Sequence, residues 1–514
     1  MKINLKKHLK NYFTLLFLFV FIGNAFCQQR SIIILKKADF WKNDKTLGED
    51  IERIIGNAEF ELDSATLFCD SAYLNKKENN IDAFGHVHIK SGDTLDIYSD
   101  LLNYDGNTRI AELHNNVTLI DNQTTLTTND LIYHRKTKVA NYYSGGKIVN
   151  KDNQLTSLIG YYFTRQKEFF FKDSVVLTNP DYVMTSDSLL YNTLTEIAYF
   201  QGPTNITGDN KYVYCEDGWY NTKSDVTLLK KKVFIINKEQ TIKADTVFYD
   251  KLSGFGEAFN NIVIIDTVQN TVAKGNYLRY NKTKEFAYLT DSAEAILIDK
   301  RDSLFLHADS LIITFDSTQS IKKMFAYYKA KFYRKNLQGL CDSLVYDFVD
   351  STINLYNDPA IWSEENQLTA DSIKIAITNK TADSLTLYNS AFIISQNDSL
   401  GFNQIKGKNM IGYFKDNELR KIFVSGNAET IYYIIDDGEN KERELIGINK
   451  SVSSYMIIYL IDNKVKDILY LEKPDETLFP ENELPAEEKL LKGFEWLDEF
   501  RPKNKSEIFN WKKK

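Results

Sequence analysis

Cysteine is scarce in this chain, four in 514 residues. Cys69, Cys215 and Cys341 stand far apart and, once the leader carrying Cys27 is set aside, are odd in number. That excludes the dense disulfide framework of a small secreted scaffold and predicts free, buried thiols. None has a second cysteine or a histidine at ligand spacing, which excludes a zinc site. Proline (7) and glycine (23) are too few for a disordered chain. No stretch beyond the first residues approaches the ~18 apolar residues that a membrane-spanning helix needs. Excess positive charge is missing as well: the net charge of −7 offers no general attraction to nucleic acid, so an anionic ligand must be held locally.

What is abundant suits β-strands. There are 31 Tyr and 32 Phe beside many Ile, Val and Thr. The first residues are of a different kind: Lys2, Lys6, Lys7 and Lys10 precede an apolar run from Tyr12 to Gly23, too short to span a bilayer, which reads as a signal peptide over residues 1–27. Ala25 and Cys27 occupy the small-residue positions before the cut. Phe26 stands where lipoprotein processing favours a small residue, which argues against a lipid anchor on Cys27.

The mature chain is repetitive. An apolar–x–small–Asp–x–apolar–x–Tyr pattern places its Asp at Asp39, Asp70, Asp100, Asp130, Asp187, Asp217, Asp245, Asp309, Asp342 and Asp371, about 30 residues apart, with degenerate units near Gly160 and Asn276. Asn409 and Ser451 are weaker successors. Between these positions lies a second strand after a turn or bulge signal, as in Gly85-His86-Val87-His88-Ile89 and Asn260-Asn261-Ile262-Val263. Each unit is therefore two strands and two turns. Helical periodicity is absent.

The phase of the pattern carries structural information. The residue two after each Asp is apolar and is expected to face inward: Leu102, Ile132, Leu189, Trp219, Val247, Leu311 and Leu344 among them. The residue three before Asp, such as Leu67, Ile97, Ile242, Leu306 or Leu368, is also apolar. Two positions five apart fall on opposite faces of a regular strand. For both to reach one interior the strand must bulge or bend beside the Asp, where small neighbours such as Cys69, Ser99 and Ala244 ease a corner. Such an Asp is read as bonding local backbone groups rather than as a calcium or catalytic ladder. His86 and His88, with His114 and His134 in the next units, lack a third ligand and are read as strand-surface or groove-mouth residues. No G-x-S-x-G elbow anchors a nucleophile. Catalysis, metal and cofactor have no positive signal.

Leu368-Thr369-Ala370-Asp371-Ser372-Ile373, Ile242-Lys243-Ala244-Asp245-Thr246-Val247-Phe248-Tyr249-Asp250 and the Gly/Asn-x-Val second strands resemble the OstA-like family, the LptA-type periplasmic repeat of lipopolysaccharide transport. The resemblance covers 39–393 clearly and 394–470 more weakly. It implies an all-β fold: an elongated, open β-jellyroll of antiparallel strand pairs in two sheets, with an apolar groove that shelters the acyl chains of lipopolysaccharide. It further implies a non-enzymatic periplasmic bridge between inner and outer membranes, partnered by the transport components of both and able to join end to end through sheet edges. The seven inward residues from Leu102 to Leu344 then become candidates for the lipid groove. A parallel β-helix that binds or degrades polysaccharide, or a structural surface repeat, is the competing reading.

The expected organisation is a signal peptide over 1–27, repeats over 30–470, and a tail over 471–514. In the tail, Pro474, Pro480 and Pro485 with several Glu suggest an acidic linker. A short helix is expected from Ala486 to Phe500, where Leu490, Phe494 and Leu497 make an apolar face that caps the strand stack or docks a partner, followed by a basic end.

Overall fold

The computed structural model describes residues 32–512 apart from 45, 300–301, 379–380, 398–400, 416–417, 437–443, 462–463 and 481–482. The expected signal peptide and Cys27 lie outside the described residues. Two compact units are present: residues up to 180 together with 187–194, and residues 181–186 together with 195–514.

In each unit, strands of 11 or 12 residues follow one another as an antiparallel meander. The first unit runs through Ile51–Leu62, Ala65–Asn75, Asn80–Ser91, Leu95–Asp105, Ile110–Asp121 and Thr124–His134. The second runs through Ile197–Gly208, Lys211–Asn221, Val226–Asn237, Gln240–Asp250, Phe255–Asp266 and Thr271–Asn281, and continues in pairs to Asp475–Phe479. The pairings described are all antiparallel, which removes the parallel β-helix. Hairpin ends recur with one chemistry: the carboxylate or amide at Asp105, Asn221, Asp250 and Asp347 accepts a hydrogen bond from the backbone N–H two residues on, at 2.7–3.0 Å.

The 11- and 12-residue strands of the meander shift register at mid-strand, beside the repeated acidic or amide residue. Phe84 pairs with Leu101 and Val87 with Ser99, so Gly85 and His86 together face Asp100 alone. The two-residue side is left-handed: Gly85 and His86 have φ of 70° and 41°, Asn115 and Asn116 of 63° and 51°, Lys231 and Lys232 of 59° and 54°, Asn260 and Asn261 of 59° and 52°. Because the bulge reverses the alternation, Ile97 and Leu102 are both buried though five apart, and so are Leu306 and Leu311, and Leu368 and Ile373. The acidic side chain secures the corner. Asp70 bonds His86 Nδ1 (2.8 Å), Asp100 accepts from Asn116 Nδ2 (2.7 Å), Asp245 from Asn261 (2.8 Å) and Glu216 from Lys232 (2.8 Å).

In two units the acidic slot is displaced by one residue from its expected position. Thr128-Asn129-Asp130-Leu131 aligns with Ser99-Asp100-Leu101-Leu102, and Cys215-Glu216-Asp217-Gly218 aligns likewise. Asn129 and Glu216 therefore hold the slot, and Leu131 and Gly218 are the inward residues. Ile132 and Trp219 are half-buried on the other face, Trp219 opposite Tyr199 and Leu228. The identity of the Asp misled because either of two adjacent acidic or amide residues satisfies the pattern.

The expected helix from Ala486 to Phe500 does not form. The segment makes three-residue 3-10 turns at Ala486–Glu488 and Asp498–Phe500, and another follows at Glu507–Phe509. The cause lies in two buried amides of the second unit. Gln404 donates to Lys489 O (2.8 Å) and accepts from Leu491 N (2.8 Å). Gln367 donates to Glu495 O (2.7 Å) and accepts from Leu497 N (2.7 Å). These are backbone groups that an α-helix would have used internally, and Gly493 adds a left-handed break at φ 92°. The tail is a strap rather than a cap. Leu491, Phe494 and Trp496 pack against Phe392, Ile394 and Ile431, and Leu497 packs against Leu340 and Trp362. Their chain neighbours Ile393 and Ile361 belong to the interior cluster. The strap therefore covers the outer face of strands whose inner face is already buried.

Two outcomes are expected. Gly85→Ala places a Cβ 2.4 Å from Asp70 Oδ2 at a left-handed φ and should lower stability by about 1–3 kcal/mol, whereas Asn115→Gly should change it by less than ~1 kcal/mol; urea titration compares them. Gln367→Ala leaves Glu495 O and Leu497 N unpaired in a buried site, at a cost of about 2–3 kcal/mol, and hydrogen exchange at Leu497 should accelerate while the Asn80–Ser91 amides keep their protection.

Candidate functional site: an apolar seam in the second unit

The corner divides each strand into a limb on either side, and the inner faces of the two limbs make the interior. In the second unit the floor next to the corners is closed. Thr204, Cys215, Val233, Ala244 and Ile262 on one limb, and Phe200, Leu229, Val247 and Ala258 on the other, are at most 9% exposed.

Away from the corner the interior opens. Ile206, Val213, Ile235, Ile242 and Ile264 are cross-strand partners in sequence, each directly opposite the next. They continue the inward alternation by two residues from Thr204, Cys215, Val233, Ala244 and Ile262. All five are only half-buried. At ~4.8 Å per strand the ladder is about 19 Å long, on the order of an extended acyl chain. On the other limb the corresponding positions include Tyr220, Tyr249 and Tyr280, also half-buried. Tyr220 donates to Asp225 (2.5 Å) and Tyr280 to Gln319 (2.8 Å), so the phenol tips are tied to the rim while the rings present carbon. Beyond them the rim turns polar, with Lys211, Asn237 and Gln240 exposed.

The phenols and the thiol of this seam are not poised as nucleophiles. Burial, then the bond to Asp225, raises the Tyr220 phenol, and burial raises those of Tyr249 and Tyr280. The Cys215 thiol is pushed up to about 11 by burial and the Cys69 thiol to about 12. All stay protonated at neutral pH. Among the described residues no group of three or more His, Cys, Asp or Glu could hold a metal ion, and no helix is long and apolar enough to cross a membrane. His86 and His88 do not converge: the first bonds Asp70, and the second bonds Asp96 (2.8 Å) and stacks on Tyr98.

The seven residues expected to line a groove are distributed unevenly. Leu102 and Leu189 lie in the tightly packed interior of the first unit, at 1% and 0% exposure, and Val247, Leu311 and Leu344 on the floor of the second, at 9%, 3% and 6%. Ile132 and Trp219 face outward, as above. The half-open walls come instead from the aliphatic residue three before the acidic slot, with its cross-strand partners Ile206, Ile235 and Ile264, and from the Tyr four after the slot. Both positions recur in the repeat; their greater distance from the corner gives them access to solvent.

The first unit uses the same positions differently. Phe60, Leu67, Ile89, Ile97, Leu119 and Leu126 on one limb, and Tyr104, Tyr133 and Tyr162 on the other, are at most 2% exposed. Its interior is shut.

The OstA-like protein family model matches residues 30–187 and 183–245. Among solved structures, LptH of Pseudomonas aeruginosa, titled the LptA homologous periplasmic component of the conserved lipopolysaccharide transport device, is similar at 16% identity. The similarity covers 21% of this chain and 81% of that one, with a TM-score of 0.20. No curated protein matches. Residues 30–245 of this chain are thus similar to the OstA-like family.

Proposed function

We propose that this protein is a non-enzymatic lipid carrier of the periplasm that shelters lipopolysaccharide acyl chains in the seam of its second unit and serves in transfer between the inner and outer membranes. The observation that carries the reading is the half-exposed ladder Ile206, Val213, Ile235, Ile242 and Ile264 opposite Tyr220, Tyr249 and Tyr280. An aliphatic wall left open to water gains about 0.8 kcal/mol for each methylene it takes from solvent. A polar rim lets sugars and phosphates stay wet. The match of residues 30–245 to the OstA-like family model supports the lipid class.

The partners in this reading are the transport components of the two membranes. In the first unit, Phe40–Asn43 pairs only with Ile51–Leu62 among the described strands and exposes Phe40 and Trp41 at 53% and 56%. Its other edge suits strand addition by a partner or a second copy.

Photocrosslinking probes placed in living cells at Ile235 and Ile242 should capture lipopolysaccharide, whereas probes at Phe234 and Lys243, on the opposite face of the same strands, should not. Ile242→Asp puts a charge into the ladder without filling a closed core and should weaken lipid binding by about tenfold or more, if ~1.5 kcal/mol of apolar contact is lost. Absence of lipid adducts on a folded, exported protein would overturn the carrier reading and leave a structural surface repeat.

A further inference from the structure

The first unit contains a feature that its repeat-mates in the second unit lack. Asp121 ends the strand Ile110–Asp121 on one limb, and its side chain is 1% exposed. It accepts a hydrogen bond from Tyr162 Oη (2.6 Å) and a two-oxygen bond from Lys167 Nζ (2.6 and 2.7 Å), both from the opposite limb. One rung earlier, Arg135 is 5% exposed, bonds Tyr104 Oη (2.9 Å) on its own limb and reaches the backbone carbonyl of Leu62 on the other. Two charged side chains thus cross the mouth of the interior from one limb and are received by the other. Asn150, bonded to Thr124 Oγ1 (2.6 Å), and Tyr142, bonded to Ser157 (2.7 Å), fill the next rungs with buried polar pairs.

The second unit makes different use of the equivalent positions. The place of Arg135 is taken by Thr222 and Lys251, and that of Lys167 by Asp225 and Gly254. Lys251 pairs with Asp225 (3.0 Å), which also holds Tyr220, so these charges bond along one limb instead of across the mouth.

We infer that the crossing pairs Lys167–Asp121 and Arg135–Leu62 latch the first unit against acyl chains and so confine the lipid site of this protein to the second-unit seam between Ile206 and Ile264. The inference rests on the carrier reading above and adds to it where lipid is admitted and which residues refuse it. An acyl chain cannot enter the first interior without parting Lys167 from a carboxylate that has no water to replace it, or withdrawing Arg135 from the Leu62 carbonyl. Entry into the second seam breaks no ion pair. Lys167 and Arg135 act through access and touch no lipid.

The test leaves the wild-type chain unaltered. Lipopolysaccharide carrying a diazirine on its acyl chains is mixed with the full-length protein, irradiated, and the adducts are located by peptide mass spectrometry. Adducts are expected on peptides from 197–281 and none above background on those from 51–179. In the double variant Asp121→Ala, Lys167→Ala, with folding verified by circular dichroism, first-unit adducts should rise from background to a yield comparable with the second unit; Arg135→Met should do the same in part. Wild-type adducts in both units would overturn the latch while leaving the carrier reading intact. Second-unit adducts unchanged by a folded latch variant would overturn these residues as the barrier. Absence of adducts from every peptide would overturn the carrier reading itself, and this inference with it.

Discussion

The structure depends on one local arrangement: two residues in the left-handed region facing a single acidic or amide residue on the neighbouring strand. A run of 12 alternating residues would otherwise make a flat ribbon with one greasy face. The added residue changes the alternation at mid-strand, so both limbs turn their apolar side chains toward the same space. Left-handed backbone costs about 1–2 kcal/mol for a residue with a Cβ, and less for Gly or Asn. Gly85, Asn115, Asn116, Asn260 and Asn261 fit that economy. Lys231 and Lys232 do not; their ion pairs with Asp217 (2.9 Å) and Glu216 (2.8 Å) hold them at the corner. Repetition of the corner at each rung turns a list of hairpins into a walled interior.

Given that interior, access is decided at the free ends of the limbs, far from the corners. There the two units diverge while keeping the same repeat. The tyrosine four residues past the slot is sealed at Tyr104, Tyr133 and Tyr162 and open to solvent at Tyr220, Tyr249 and Tyr280. The difference comes from residues at the turns, Arg135 and Lys167 against Thr222, Asp225 and Lys251, rather than from the aliphatic lining, which is equally apolar in both.

Much of this was legible in sequence because it is periodic. The odd separation between Ile97 and Leu102 required a bend beside Asp100, and the bend is there. The acidic residue does serve structure, but not through the local backbone bonds expected of it: Asp70, Asp100 and Asp245 bond the side chains of His86, Asn116 and Asn261 on the neighbouring strand. Less legible was which of two adjacent polar residues fills the slot, and that ambiguity sent Ile132 and Trp219 to the wrong face. The crossing contacts at the mouth of the first unit also escaped, because Asp121, Arg135 and Lys167 make them over 41 to 73 residues of chain, which no repeat phase encodes. The helical reading of residues 486–500 counted apolar spacing correctly, but could not see Gln367 and Gln404 waiting for extended backbone.

The strap also has a bearing on the order in which the second unit can be completed. Its bonds to the buried amides and to Lys331 join residues 85 to 179 apart, from Gln404–Lys489 to Lys331–Asn510, and it covers Trp362, Leu340 and Ile394, residues that come far earlier in the chain. Until residues 484–511 arrive, those strands present a second apolar face to water and three buried amides, Gln338, Gln367 and Gln404, that lack the bonds the strap supplies. A chain synthesised from its N-terminal side must therefore carry an unfinished, sticky wall for the whole time it takes the strap to follow, which makes this stretch the natural place for a chaperone to act.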